Sequence, residues 1–157
     1  MRHLDRLTLA VNGLRFISIK YLYNNIHSIQ MSKSTVKYWN PLSPDHQGQW
    51  ESIEGSNGYL EQLTLAYDER TGDYTRLTRF KPGADTSVFG AKSHDYPEEI
   101  FIVKGRLYDQ AFDRWLEAGD YASRPPGELH GPFRTDVECI VLEISYPAQA
   151  HRRVGQE

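Results

Sequence analysis

The chain has 157 residues, a net charge of −3, and 18 Lys and Arg spread along its length. That distribution excludes the concentrated basic surface needed to bind nucleic acid. A chain of this length supports one domain that buries roughly 70% of the surface its unfolded form exposes. The lone cysteine, Cys139, excludes a disulfide framework and a cysteine-rich zinc site, and makes a reducing cytoplasm the expected compartment.

Residues 1–30 mix Arg2, Arg6, Arg15 and Lys20 with apolar stretches, and a polar segment opens at Met31. The uninterrupted apolar block of a signal peptide, or of a membrane span of about 20 residues, is missing there. We therefore expect residues 1–35 to be a leader outside the fold. It would come either from a translation start upstream of Met31 or from an amphipathic targeting segment. Residues 36–150 form the domain, 151–157 a flexible tail, and no membrane association is expected.

From about Gln49 onward, short runs of β-branched, aromatic and leucine residues alternate with turn formers, the pattern of an antiparallel barrel or sandwich. The predicted strands are 59–68, 73–80, 98–109, 114–116, 120–124 and 137–146. Asp68 to Gly72 reads as a hairpin loop, Lys81-Pro82-Gly83 as a strand end and Pro125-Pro126-Gly127 as another turn. Proline is absent from every predicted strand interior, as ladder hydrogen bonding requires. Cys139 lies in the apolar run CIVLEI and reads as a core residue.

The residues that carry chemistry lie between Lys92 and His130. Side chains two apart on a strand share a face, so Glu98, Ile100 and Ile102 face one way and Glu99, Phe101 and Val103 the other. A carboxylate ending an apolar interior face needs a partner, because an unpaired buried charge costs several kcal/mol. The candidates for Glu98 are His94, His130, Lys92 and a metal. If His94, Glu98 and His130 converge, they make a set of two histidines and one carboxylate that leaves open positions on a divalent cation, with Fe2+ favoured and Zn2+ or Mn2+ tolerated. The competing arrangement is a Glu98–Lys92 ion pair without metal. Asp95 is either an orienter of a histidine ligand or a turn residue. Glu99 should face outward, and Arg124 and Arg134 read as surface residues, with attraction of an anionic substrate as their alternative role. Tyr108, Tyr121 and Phe133 read as packing residues, while His3, His27, His46 and His151 have no partner at motif spacing.

His94, three residues, Glu98, six residues and Gly105 form a first block. Gly119, five residues, Pro125, one residue, Gly127, two residues and His130 form a second. Together these resemble the two signature motifs of the cupin superfamily, and YASRPPGELHGPF followed by VECIVLEI is similar to single-domain cupins related to the ligand-sensing domain of the ChrR anti-sigma factor. The chain departs from the first motif at Lys92, where a histidine is usual, and at Thr86, where glycine is usual. Arg134 replaces the asparagine that ends the second. The resemblance implies an all-β fold, a single cupin of double-stranded β-helix or jelly-roll form, with three ligands rather than four.

A metal with open positions on His94, Glu98 and His130 points to a metal-dependent enzyme acting on a small oxygenated organic molecule, such as a dioxygenase that cleaves a diketone, a hydroxyketone or a hydroxylated aromatic. In that reading Lys92 and Glu98 are catalytic, with Lys92 stabilising negative charge that develops on the substrate. The alternative, which the resemblance to the ChrR sensory domain implies, is a non-catalytic ligand-binding or sensory module, and a third reading is a metal-free sugar-processing or structural cupin. A homodimer is expected, with the segment 36–58, including Trp39 and Trp50, as an arm toward the partner.

Overall fold

The computed structural model describes Lys33 and residues 38–150, so the rest of the expected leader and the whole expected tail, with His3, His27 and His151, lie outside the described residues. The described strands are β1 (Glu51–Ser52), β2 (Leu60–Tyr67), β3 (Tyr74–Phe80), β4 (Glu98–Lys104), β5 (Arg106–Asp109), β6 (Arg114–Glu117), β7 (Tyr121–Arg124), β8 (Phe133–Arg134) and β9 (Cys139–Ser145). They make two antiparallel sheets, one ordered β1-β2-β3-β9-β4-β7 and the other β6-β5-β8. The remaining elements are short 3-10 turns, so the all-β expectation holds for the described residues.

The β2–β3 hairpin closes as the turn chemistry predicts. The Asp68 carboxylate accepts from the backbone N–H of Arg70 at 2.9 Å and of Thr71 at 3.3 Å. Gly72 takes a φ of 76°, a conformation that suits glycine.

One predicted strand is really two. Residues 98–109 break at Gly105, sending β4 into the larger sheet and β5 into the smaller. Gly105 has a φ of 74°, and a Cβ there would stand 2.0 Å from the carbonyl oxygen of Glu138. Only glycine lets the backbone turn this corner so close to the neighbouring chain segment. β1 and β8 were not predicted; at two residues each they are too short to show a period.

Leu60, Phe80, Ile100, Ile102, Leu107, Leu116, Cys139 and Val141 form the core between the sheets. Cys139 is fully buried and its thiol is pushed up to about 12 by burial, as suits an inert core residue. A second cluster, Leu63, Leu77 and Ile140, sits on the outer face of the larger sheet, with Trp39 and Trp50 packed against it. The Arg79 guanidinium stacks 3.9 Å from the centre of the Trp50 ring. The stretch expected to serve as an arm thus lays both tryptophans on its own sheet. No helix among the described residues is long and apolar enough to cross a membrane.

Candidate metal centre

Glu98 opens β4, and its register neighbours are Arg124 on β7 and Ser145 on β9. His94 lies in the loop before β4, and His130 in the loop between β7 and β8. Backbone hydrogen bonds stitch these loops together. Lys92 and His130 exchange both N–H to O=C bonds at 2.9 Å, and Gly127 N–H donates to the His94 carbonyl at 2.7 Å. The glycine of the second block therefore fixes the backbone of the histidine in the first.

The result is convergence. One ligand atom from each of His94, Glu98 and His130 lies within 4.8 Å of the other two. His94 Nε2 is 3.9 Å from Glu98 Oε1, and the two imidazole centroids are 5.1 Å apart. His130 is buried, and its Nδ1 is 3.2 Å from the Glu128 carbonyl oxygen. A proton on Nδ1 would be donated there, leaving Nε2 as the free donor atom. Burial, then the nearby Arg124 charge, lowers the pKa of His130 below its ordinary value, which favours the neutral ring that a cation needs. His94 stacks on Tyr96 at 4.9 Å between centroids, and burial, with Tyr74 beside it, pushes the Tyr96 phenol well above its usual range.

Glu98 is 4% exposed and is not paired with Lys92. Arg124 donates to its Oε2 at 2.9 Å, and Ser145 Oγ donates to Oε1 at 3.1 Å. This corrects the reading of Arg124 as a surface residue: it is 6% exposed, and its second nitrogen lies 3.8 Å from Asp109. Asp109 in turn accepts from the N–H groups of Gly131 at 2.8 Å and Ala111 at 3.1 Å. Sequence reasoning missed this Glu98–Arg124–Asp109 line. Strand alternation carried a hint, since Ala122 and Arg124 share a face and Ala122 packs against the core.

The remaining predicted residues fall into place around this centre. Lys92 is exposed at the cavity lining, 5.9 Å from the Phe89 ring centroid, with no carboxylate at ion-pair distance among the described residues. Asp95 is exposed, and it is the Glu128 carbonyl that orients His130. Glu99 faces away from the site and accepts from the Tyr146 hydroxyl at 3.2 Å. Phe133 lines the cavity, whereas Tyr121 is exposed and Arg134 stacks on Tyr108 outside it. His46 packs edge-on against Trp39, away from the centre.

The donor set fits a divalent cation. Two neutral imidazole nitrogens and a carboxylate oxygen suit Fe2+, Zn2+ or Mn2+, and Glu98 Oε1, which accepts one hydrogen bond, keeps a lone pair. The cavity beside it, about 270 Å³, is also lined by Arg76, Thr78, Phe80, Thr86 and Glu143. Arg76 Nε donates to Glu143 at 2.5 Å. Burial works against the charge on Arg76, but Glu143, Tyr74 and Glu98 together outweigh it and raise its pKa.

Among solved structures, an RmlC-like cupin from Shewanella frigidimarina is 20% identical, covering 76% of this chain and 96% of that one with a TM-score of 0.57. An acetylacetone dioxygenase from Acinetobacter johnsonii is 19% identical over 74% of this chain and 77% of its own, with a TM-score of 0.54. The polyketide cyclase RemF from Streptomyces resistomycificus is 18% identical over 72% and 80%, with a TM-score of 0.56. At these identities the likeness concerns the fold. Among curated proteins, endo-1,4-beta-xylanase B of Cellvibrio japonicus is 26% identical over 107 residues, which span 68% of this chain but 16% of that protein. The family model described as the ChrR Cupin-like domain matches residues 44–147. With its two sheets, its two motif blocks and that match, the chain belongs to the ChrR cupin-like family.

Proposed function

We propose that this protein is a metal-dependent cupin that acts on a small oxygenated organic molecule, with dioxygenase cleavage of a diketone, hydroxyketone or hydroxylated aromatic as its chemistry. The observation that carries the reading is the convergence of His94, Glu98 and His130 on one wall of a cavity sized for a small molecule. A divalent cation held by these three side chains would supply Lewis acidity toward substrate oxygens and, as Fe2+, redox chemistry with dioxygen. Glu98 serves as a ligand whose direction is set by Arg124 and Ser145. Lys92, at the cavity lining, offers an ammonium to negative charge developing on the substrate. Phe80, Phe89 and Phe133 contribute apolar surface to the lining, which strengthens those electrostatic contacts.

Oxygen uptake by the iron-loaded protein with a panel of β-diketones and catechols tests this. Substrate-dependent uptake that disappears on chelation is expected. Stoichiometric metal without uptake for any of them would favour the second reading, a ligand-binding or sensory module, to which the ChrR family match lends weight.

We further propose a homodimer. Phe101 and Tyr121 are register partners on β4 and β7, and with Val103 they form an exposed apolar strip along one edge of the larger sheet. Light scattering should return about twice the 18.1 kDa chain mass; a monomer mass would refute it.

A further inference from the structure

The cavity wall opposite in role to the metal ligands has unmet hydrogen-bonding capacity. Thr78 is 3% exposed, lines the cavity, and its hydroxyl has no hydrogen-bond partner among the described residues. A buried hydroxyl left this way is destabilising unless something in the cavity meets it. Thr78 shares a face of β3 with Arg76, which also lines the cavity. Arg76 uses Nε on Glu143 and Nη1 on Gln62, and no partner is found for Nη2 among the described residues.

Charge points the same way. The cavity is lined by Arg76, Lys92 and Arg124 against Glu98 and Glu143, with Asp109 beside Arg124, so these charges balance and a divalent cation held by His94, Glu98 and His130 would make the site net positive. A neutral substrate would leave that excess uncompensated, whereas an anion would balance it.

We infer that Thr78, with Arg76 and Lys92, forms an anion subsite, and that the substrate carries a carboxylate next to the oxygen that faces the metal centre. This rests on the metal-centred reading above and narrows its substrate class from neutral diketones to oxo- or hydroxycarboxylates. Thr78 donates its hydroxyl proton to the carboxylate, Arg76 adds a charged donor, and Lys92 holds the negative charge at the cavity lining.

Calorimetric titration of the zinc-loaded protein with acetoacetate and with methyl acetoacetate separates charge from shape, and redox-inert zinc avoids dioxygen chemistry. Acetoacetate should bind at least ~10-fold more tightly than its ester. Thr78→Val, nearly isosteric, should lose ~5- to 10-fold in acetoacetate affinity with zinc content unchanged, and Thr78→Ser should restore it. Equal affinity for acid and ester, or full acetoacetate affinity in Thr78→Val, overturns the subsite while leaving the metal centre standing. If Thr78→Val does not fold, Lys92→Met at its exposed position carries the test, and an undiminished preference for the acid overturns the proposal. Should the protein take up no zinc, the metal reading fails on its own, and the same titration without metal still decides the subsite, since Lys92 and the unpaired Thr78 hydroxyl remain.

Discussion

His130→Ala should yield a folded protein that no longer retains a divalent cation. His130 supplies one of three protein donors, and its Nε2 is left free by the contact of Nδ1 with the Glu128 carbonyl. Losing merely an orienting contact around a metal lowers affinity about 10- to 100-fold, so losing a ligand should exceed about 100-fold. The folding penalty is smaller, at most a few kcal/mol for the void left by the ring. Metal analysis by mass spectrometry after gel filtration, with circular dichroism as the folding check, decides the matter. Full occupancy in the variant would remove the proposed centre.

Arg124→Met should destabilise the metal-free protein by roughly 3–5 kcal/mol, the range for breaking a buried ion pair from one side. Glu98 would be left as a buried carboxylate with only the Ser145 hydroxyl in hydrogen-bonding contact, and Asp109 would lose its cation. Saturating zinc should recover part of that loss, because a bound cation supplies the charge that Arg124 gave up and binds only the folded state. Urea unfolding with and without zinc measures both effects. A metal-free loss under about 1 kcal/mol would show that Glu98 does not depend on Arg124. The same pairing has a consequence for the wild type: since Arg124 already balances Glu98, the chelated protein should stay folded, in contrast to small domains that a structural zinc holds together.

Strand alternation and turn residues were enough to locate β2, β3, β4, β7 and β9, because in a half-buried sheet the period of two is imposed by burial itself. They could not reveal that the run from Glu98 to Asp109 divides at Gly105, since both halves keep their alternation and only the Glu138 carbonyl explains why the corner sits there. Motif spacing was enough to single out His94, Glu98 and His130, which the fold then brings together. Arg124 was misjudged, and Arg76 was not singled out at all. Both lie on strands where an isolated arginine reads as solvent-exposed, and what draws Arg124 into the interior and Arg76 partly under cover are partners in other strands, Glu98 and Glu143.

By itself, then, the amino-acid sequence determined the longer strand segments, most of the turns between them, and which two stretches supply imidazoles and a carboxylate. Those properties follow from local chemistry: side-chain alternation, glycine and proline backbone preferences, and donor atoms at set intervals. Only the tertiary structure decided which cation neutralises Glu98 and which hydroxyl is buried unpaired. Both are settled by strand register, where Glu98 meets Arg124 directly across β4 and β7, and no feature within either strand fixes that alignment.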